Sequence, residues 1–438
     1  MDDFWLIKIV NFLLSSLFLL GAWCSRKIVG VWLNPASIFL LFWFFYTAFP
    51  LVVAFEAPVS PWSIAYILSF CFAFSLSSFL FRWPVAFELN QNKPAAKYYF
   101  DRPLIIAAFY TAASFALLMT FLGVLKQGIS IAQILANPIA VGGIYAGKRY
   151  SGEIVNSIYS QLGLQCCYYT AVLGGLIYGS RDKSKIKIVI LIFSFLPALL
   201  VMFMQSAKGL FFFSVFLFIG GILVARIYNK NLTLLNYANI RSLCWYGALV
   251  LPLILVSFLS RGIYQLNDAS VIFDRLRYYL VTYSSVHLPA FSDWFSERYF
   301  DDSLMSYRQD IFTTGFYTFM SFFQLAGDDR FVPMGIYDEY YEYGAFIKGN
   351  LYTVFRGFIT DFTLPGSLLF ALVLGYVCNL GYWRLLCHRN SAFAVVFFIY
   401  FIAMAYQTYV ISSLTWLTLP LVFLVQWFVV YFLMKVRT

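Results

Sequence analysis

The sequence predicts an all-α, polytopic integral membrane protein, and three observations predict it. Of its 438 residues 62% are apolar and only 11% are charged, against about 45 to 50% and about 25% in an average soluble protein. Too few charges remain to cover a soluble surface. Apolar runs near the length of about 20 residues needed to cross a bilayer recur along most of the chain. The charges between those runs alternate in sign from one side to the other.

In chain order, the apolar runs place spans near 4–24, 35–55, 61–81, 103–125, 157–179, 187–205, 209–227, 242–260, 365–383, 391–409 and 414–434. That makes about eleven. The first is expected to stay as a helix, because Asp2 and Asp3 precede it and Arg26 and Lys27 follow it, the reverse of a cleaved signal peptide. These runs divide the chain into a helix bundle over 1–261, a large outer loop over 262–361 and C-terminal helices over 362–438. If two apolar stretches within the loop also cross, the count becomes thirteen and every other orientation is preserved.

Arg26, Lys27, Arg82, Lys93, Lys97, Arg102, Arg181, Lys183, Lys185, Lys187, Arg226, Lys230, Arg241, Arg384, Arg389, Lys435 and Arg437 all fall on one side of this topology, with only Glu88, Asp101 and Asp182 against them. The positive-inside rule makes that side cytoplasmic. The net charge of +10 is thereby used in orientation, and a nucleic-acid partner is not expected.

The seven cysteines, at 24, 71, 166, 167, 244, 378 and 387, lie in spans or at cytoplasmic edges. The outer loop therefore has no pair to cross-link, although its compartment would permit disulfides. Gly142 to Lys148 has the spacing of a phosphate-binding loop, but Arg149 stands where Ser or Thr is needed and no strand precedes it. No CxxC, HExxH or DxD pattern occurs and there are two histidines. No metal site and no cofactor are expected.

Polar chemistry is concentrated in the loop 262–361, which holds thirteen of the twenty acidic residues. A loop so long and so rich in Tyr, Phe and Trp reads as a folded, membrane-lying cap. From Ser270 to Glu297, the apolar positions Ile272, Leu276, Tyr279, Leu280 and Tyr283 suit an amphipathic helix along the interface. The apolar stretch Ile311 to Leu325 is too short to span and reads as re-entrant or interfacial.

Cations stand at the outer ends of several runs. Lys208 occupies the short turn between two spans, and Arg261 directly follows another. Each can snorkel to headgroups or bind phosphate, Arg in a two-pronged way and Lys as a point charge. Tyr352 and Arg356, four apart, share a face if the segment is helical. Pro365 can open the following helix, which puts Asp361 at its entry as a structural carboxylate or a base. His287 reads either as a packed, hydrogen-bonded residue or as a catalytic one.

The stretch 349–376, with Tyr352, Thr353, Asp361, Phe362 and Gly366, resembles the segment at the end of the large outer loop in Wzy-type polymerases of bacterial surface polysaccharides. Members often read Tyr-Thr, then Asp-Phe-Gly, two residues and Gly before a span; here Thr363 takes the place of the first Gly. The segments around Lys208, Arg261 and the pair Arg275 and Arg277 look like places where the family carries basic residues. The Arg, ten residues, Gly signature of some members is absent, since Ile272 and Ser367 occupy the Gly sites.

The resemblance implies a GT-C-like, metal-independent glycosyltransferase in the bacterial inner membrane with its site facing the periplasm. It would move a growing glycan from undecaprenyl diphosphate to a sugar hydroxyl of a new lipid-linked repeat unit, alongside a chain-length regulator and a flippase. The departing diphosphate needs fixed cations, expected from Arg261, Arg356, Arg277 and Lys208, with Arg275, Lys348 and Tyr352 as further substrate contacts. The acceptor hydroxyl needs a base, for which Asp361, Asp338, Glu339 and His287 compete. An O-antigen ligase, which transfers to lipid A core, shares the donor and the large loop. A lipid-linked oligosaccharide flippase would instead show repeated halves and short loops.

Overall fold

The computed structural model describes the chain apart from residues 1, 96–98, 156, 182–184, 235–236, 260–262, 264–267, 309–311, 334, 389 and 437–438. Helices dominate: α1 (Asp2–Val29), α2 (Pro35–Val53), α3 (Pro61–Leu76), α4 (Trp83–Asn92), α5 (Pro103–Lys126), α6 (Ile131–Ala136), α7 (Pro138–Tyr150), α8 (Ile158–Ser180), α9 (Lys185–Met204), α10 (Lys208–Tyr228) and α11 (Tyr237–Leu259). The segment predicted as the large loop contributes α12 (Ala269–Ser285), α13 (His287–Phe300), α14 (Phe316–Leu325) and a hairpin of β1 (Tyr341–Tyr343) and β2 (Ile347–Gly349). The last helices are α15 (Thr353–Cys387), α16 (Ala392–Gln407) and α17 (Thr418–Lys435).

Eight helices among the described residues are long and apolar enough to cross a membrane: Asp3–Val29, Pro35–Val53, Pro61–Leu80, Pro103–Lys126, Ile186–Met204, Lys208–Tyr228, Thr353–Cys387 and Thr418–Lys435. A polytopic membrane protein accounts for them. A helix also stands at each remaining predicted run. α16 is 16 residues long, and α8 dilutes its apolar residues with Gly, Ser, Gln and Tyr. Helix starts follow local chemistry: Pro35, Pro61 and Pro103 sit at the first turn, where the missing N–H costs nothing, and Asn34 Oδ1 accepts the Ser37 amide at 2.8 Å.

The chain forms two compact units. One comprises Met1–Ala86, Arg277–Trp383 and Met404–Pro420; the other comprises Phe87–Leu276, Arg384–Ala403 and Leu421–Thr438. In the second unit α8 packs closely on α5 and α10. A Cβ at Gly175 would come within 2.2 Å of the Phe218 carbonyl oxygen, so glycine is what lets those backbones meet.

In the first unit α1 packs on α2 and α3, and its polar groups are paired inside. Lys8 Nζ donates to the Ala57 carbonyl at 2.8 Å, Asn11 Nδ2 to Val59 at 2.7 Å, and the Ser15 and Thr47 hydroxyls are 2.7 Å apart. The C-terminal half of α15 lies on α3. A Cβ at Gly375 would meet the Phe74 carbonyl oxygen at 2.1 Å, Asn379 Nδ2 donates to Ser77 Oγ at 2.9 Å, and the Tyr66 and Ser367 hydroxyls are 2.7 Å apart.

Two of the predicted elements differ from expectation. The predicted amphipathic helix over 270–297 is broken before His287, and every residue from His287 to Ser296 is buried. Its second half is held by packing rather than by an interface, since the Ser60 amide donates to Ser292 Oγ at 2.6 Å and the Tyr66 and Phe295 rings lie 5.7 Å apart. The helix expected from Pro365 begins earlier, at Thr353, and bends at Thr363, where φ is 64° and ψ 173°.

Candidate functional site

The bend at Thr363 makes two pieces of α15. All ten residues from Tyr352 to Asp361 are buried, so the first piece is a half-helix sunk into the unit. Phe355 anchors it, with ring centroids 4.6 Å from Trp43, 4.9 Å from Phe70, 5.8 Å from Tyr66 and 6.0 Å from Phe291. At its start the Val354 amide donates to the Thr408 carbonyl at 2.9 Å, and Thr353 itself has φ 63°. Left-handed backbone at a β-branched residue costs on the order of 1 to 3 kcal/mol and persists only where its surroundings fix it. Both ends of the half-helix carry that cost.

One turn in, Arg356 is 1% exposed. Its Nη2 lies 3.1 Å from Glu339 Oε1. Four rings enclose the guanidinium, with Cζ to centroid distances of 4.1 Å for Tyr337, 4.5 Å for Tyr352, 5.3 Å for Trp294 and 5.6 Å for Tyr307. Ring faces and a carboxylate together offset the desolvation of this cation.

Glu339 also accepts from the Arg308 amide at 3.3 Å, again through Oε1, and its carbonyl accepts from the Tyr352 hydroxyl at 3.1 Å. Burial raises its carboxyl pKa, but the charge and hydrogen bond of Arg356 and the Arg308 amide outweigh that, so the net shift is downward and the group stays ionised. The Arg308 guanidinium, 74% exposed, pairs with Asp338 at 2.5 Å.

A second carboxylate holds the segment that covers Arg356. Asp293, on α13, accepts from the amides of Leu304 at 2.8 Å and Met305 at 3.2 Å and from the Tyr307 hydroxyl at 2.8 Å. Burial raises its pKa against those three bonds and also pushes the Tyr307 phenol up. Tyr307 meets Tyr352 edge-on at 5.9 Å. A shallow cleft of about 220 Å³, counting space open to solvent, lies beside the cage and is lined by Tyr317, Tyr337, Gly357, Phe358, Ile411 and Ser412 among others.

Asp361 is fully buried and accepts four hydrogen bonds: from Thr313 Oγ1 at 2.5 Å and the Tyr317 amide at 3.0 Å on one oxygen, and from the Thr318 amide at 2.6 Å and Thr318 Oγ1 at 2.5 Å on the other. Tyr317 and Thr318 belong to the first turn of α14, so Asp361 caps that helix from across the fold. It satisfies two amides that have no partner within the helix and places negative charge at the positive end of its dipole.

His287 is also buried. Its Nε2 lies 2.9 Å from the Tyr46 carbonyl, and because a carbonyl only accepts, Nε2 carries the hydrogen. Its ring stands edge-on to Tyr46 and Tyr409, at 5.9 and 5.2 Å. Burial pushes the imidazole pKa down to about 4, against the backbone bond that raises it, so the ring is neutral at pH 7.

The remaining predicted residues make contacts of their own. Lys348 pairs with Glu342 across the hairpin, and the exposed Arg277 stands over the Phe346 ring at 4.2 Å. Arg275 is exposed on α12. Lys208, in the other compact unit, has its Nζ 3.2 Å from the centroid of the Phe258 ring. Arg261 lies outside the described residues.

The structure thus brings Tyr352, Arg356 and Glu339 into direct contact, with Asp338 one ion pair further out. Sequence reasoning missed Asp293, Tyr307, Arg308, Trp294 and Tyr337. One signal was available: Asp293 is a lone carboxylate within the aromatic run from Leu288 to Phe295, and an isolated charge in such a run demands dedicated partners. No family model, no curated protein and no solved structure matches this chain.

Proposed function

We propose that this chain is a polymerase of lipid-linked oligosaccharide repeat units, a metal-independent membrane glycosyltransferase with about eleven spans and its site at the outer face of the bacterial inner membrane. The positive residues enumerated in the sequence set that orientation. The observation that carries the reading is the backbone at Thr363. The resembling polymerases have Gly directly after Asp-Phe, and here Thr363, directly after Asp361 and Phe362, bends with the positive φ that glycine favours. The bend therefore supports the likeness at the position where the residues differ.

In the proposed reaction the oxygen of a sugar hydroxyl on the incoming repeat unit attacks the anomeric carbon of the growing glycan. The bond from that carbon to the undecaprenyl diphosphate breaks, its electron pair leaves on the diphosphate oxygen, and the hydroxyl proton passes to a carboxylate. Geometry ranks the bases. Asp361 is engaged by four donors, His287 is neutral and bonded to backbone, and Asp338 is tied to an exposed arginine. Glu339 is ionised, partly exposed and bonded through Oε1, which leaves Oε2 to take the proton. Once Glu339 is neutralised, the charge of Arg356 is no longer balanced and stabilises the departing diphosphate in a site poor in water.

The test is an assay of purified protein with a lipid-linked repeat unit. Laddered products support polymerisation. Product formed only when lipid A core is supplied would make the chain a ligase, and no new glycosidic bond with either acceptor would remove the transferase reading.

A further inference from the structure

α14 is largely buried over its first half and exposed over its second. In the first half Thr318 bonds Asp361, Ser321 Oγ donates to the Leu414 carbonyl at 2.6 Å, and Phe316 and Met320 are buried with them. In the second half Phe322 is 47% and Leu325 62% exposed, with Gln324 exposed between them, and Phe331 just beyond is 89% exposed. Exposed apolar patches of this kind mark contact surfaces.

The polar margin is sharp. Asp328, Asp329 and Arg330 follow the helix end, and the Arg330 guanidinium folds back over the Phe316 ring at 3.7 Å while its Nε bonds Asp328 at 2.9 Å. That is how an arginine at a membrane boundary lays its stem along apolar surface. The apolar face is also continuous with a long helix: Phe319 meets Phe370 edge-on at 6.2 Å, and Leu369 and Val373 beside it on α15 are exposed.

We infer that α14 lies within one leaflet of the bilayer, with Phe322, Leu325 and Phe331 in contact with lipid acyl chains and Asp328 to Arg330 at the water boundary. At ten residues with a kink at Phe319 it is at most about 15 Å long, half of a hydrocarbon core of about 30 Å, so it enters a leaflet without crossing. Bilayer hydrocarbon is the occupant that suits these side chains, because they continue the exposed apolar surface of Leu369 and Val373 on α15, a helix long and apolar enough to span. This inference stands independently of the glycosyltransferase reading.

The test places p-acetylphenylalanine bearing a nitroxide at Leu325, Phe331 or, as control, Asp329 of the full-length protein in vesicles of phosphatidylethanolamine and phosphatidylglycerol. Power saturation then compares relaxation by oxygen with relaxation by a water-soluble nickel chelate. Oxygen should dominate several-fold at 325 and 331, and the chelate at 329. Dominance of the chelate at all three sites would put the face in water, and shielding from both relaxants at 325 and 331 would mean that protein, such as a second copy, covers it; either result overturns the inference. Phe331→Trp against Asp329→Trp in brominated phosphatidylcholine, with the wild-type emission subtracted, asks the same question without a label. Quenching of the added emission at 331 alone is expected, and equal quenching at both sites would sink the proposal. Neither measurement needs substrate, so its failure is distinguishable from failure of the catalytic reading.

Discussion

Arg356 and Glu339 form an ion pair at 3.1 Å in which the guanidinium is buried and the carboxylate is 14% exposed. The arginine depends on its partner more than the reverse. Removing one member of a buried pair costs about 3 to 5 kcal/mol, because the other charge is left uncompensated. Glu339→Ala should therefore lower the melting temperature and abolish chain growth. Glu339→Gln, which keeps a hydrogen-bond acceptor but leaves the Arg356 charge uncompensated, should recover only part of the stability and none of the activity. Thermal unfolding in detergent beside the ladder assay checks this, and an active Glu339→Gln would remove the proposed base.

Arg356→Lys should not rescue Arg356→Ala. An ammonium is a point charge that cannot spread across four rings as a planar guanidinium does. Both variants should insert in the membrane, lose ladders and unfold at lower temperature than wild type. Wild-type ladders from either would count against the role given to this cation.

Thr363 holds φ 64° and ψ 173° inside a helix, a conformation open to glycine at little cost. Thr363→Gly should raise stability by about 1 kcal/mol and keep activity, whereas Thr363→Val should retain the strain and gain nothing. A destabilised Thr363→Gly would show that the threonine side chain contributes more than its backbone costs.

Asp361→Ala removes four hydrogen bonds from a buried site and leaves two amides at the start of α14 unsatisfied. A loss of about 2 kcal/mol or more is expected, with α14 more open to proteolysis while the N-terminal helices keep their protection. Limited proteolysis with mass spectrometry reads this directly.

The pH dependence follows from His287, whose folded pKa lies near 4 against about 6.5 in an unfolded chain. Between those values the unfolded state binds the extra proton, so stability is full above about pH 6.5 and falls as pH drops toward 4. His287→Gln, which can still donate to the Tyr46 carbonyl, should flatten that slope in thermal melts taken across the window. An unchanged slope would assign the dependence to another group.

Chelation of divalent metals should leave glycan ladders intact, since the proposed chemistry uses only carboxylate and guanidinium groups. Activity lost in chelator and restored by magnesium or manganese would contradict the proposed mechanism.

The helical, membrane-embedded character was legible because a bilayer rewards long apolar runs irrespective of tertiary detail. The half-helix was less so. Nothing local marks Tyr352 to Asp361 as buried on all sides, since Phe355 finds Trp43 and Phe70 from helices near the other end of the sequence. The Tyr352 to Arg356 spacing pointed to a shared helix face; the ring does lie against the guanidinium, but Tyr352 precedes the helix and reaches it across the left-handed turn at Thr353. The cage residues Trp294, Tyr307 and Tyr337 could not be picked from 11 tryptophans and 32 tyrosines, because tertiary packing alone selects them. α13 was read as interfacial because period alone does not separate a face turned to lipid from one turned to protein.

The seating of the half-helix has a consequence for biosynthesis. Its partners α2 and α3 leave the ribosome long before it does, and the hydroxyls of Tyr66 and Ser367, which close the same region, are 301 positions apart. Until residues 352 to 361 are made, the slot around Trp43 and Phe70 stands empty and α14 lacks the carboxylate that caps it. The site therefore matures late in its unit, and nascent chains stopped before Thr353 should be among those that membrane quality control removes.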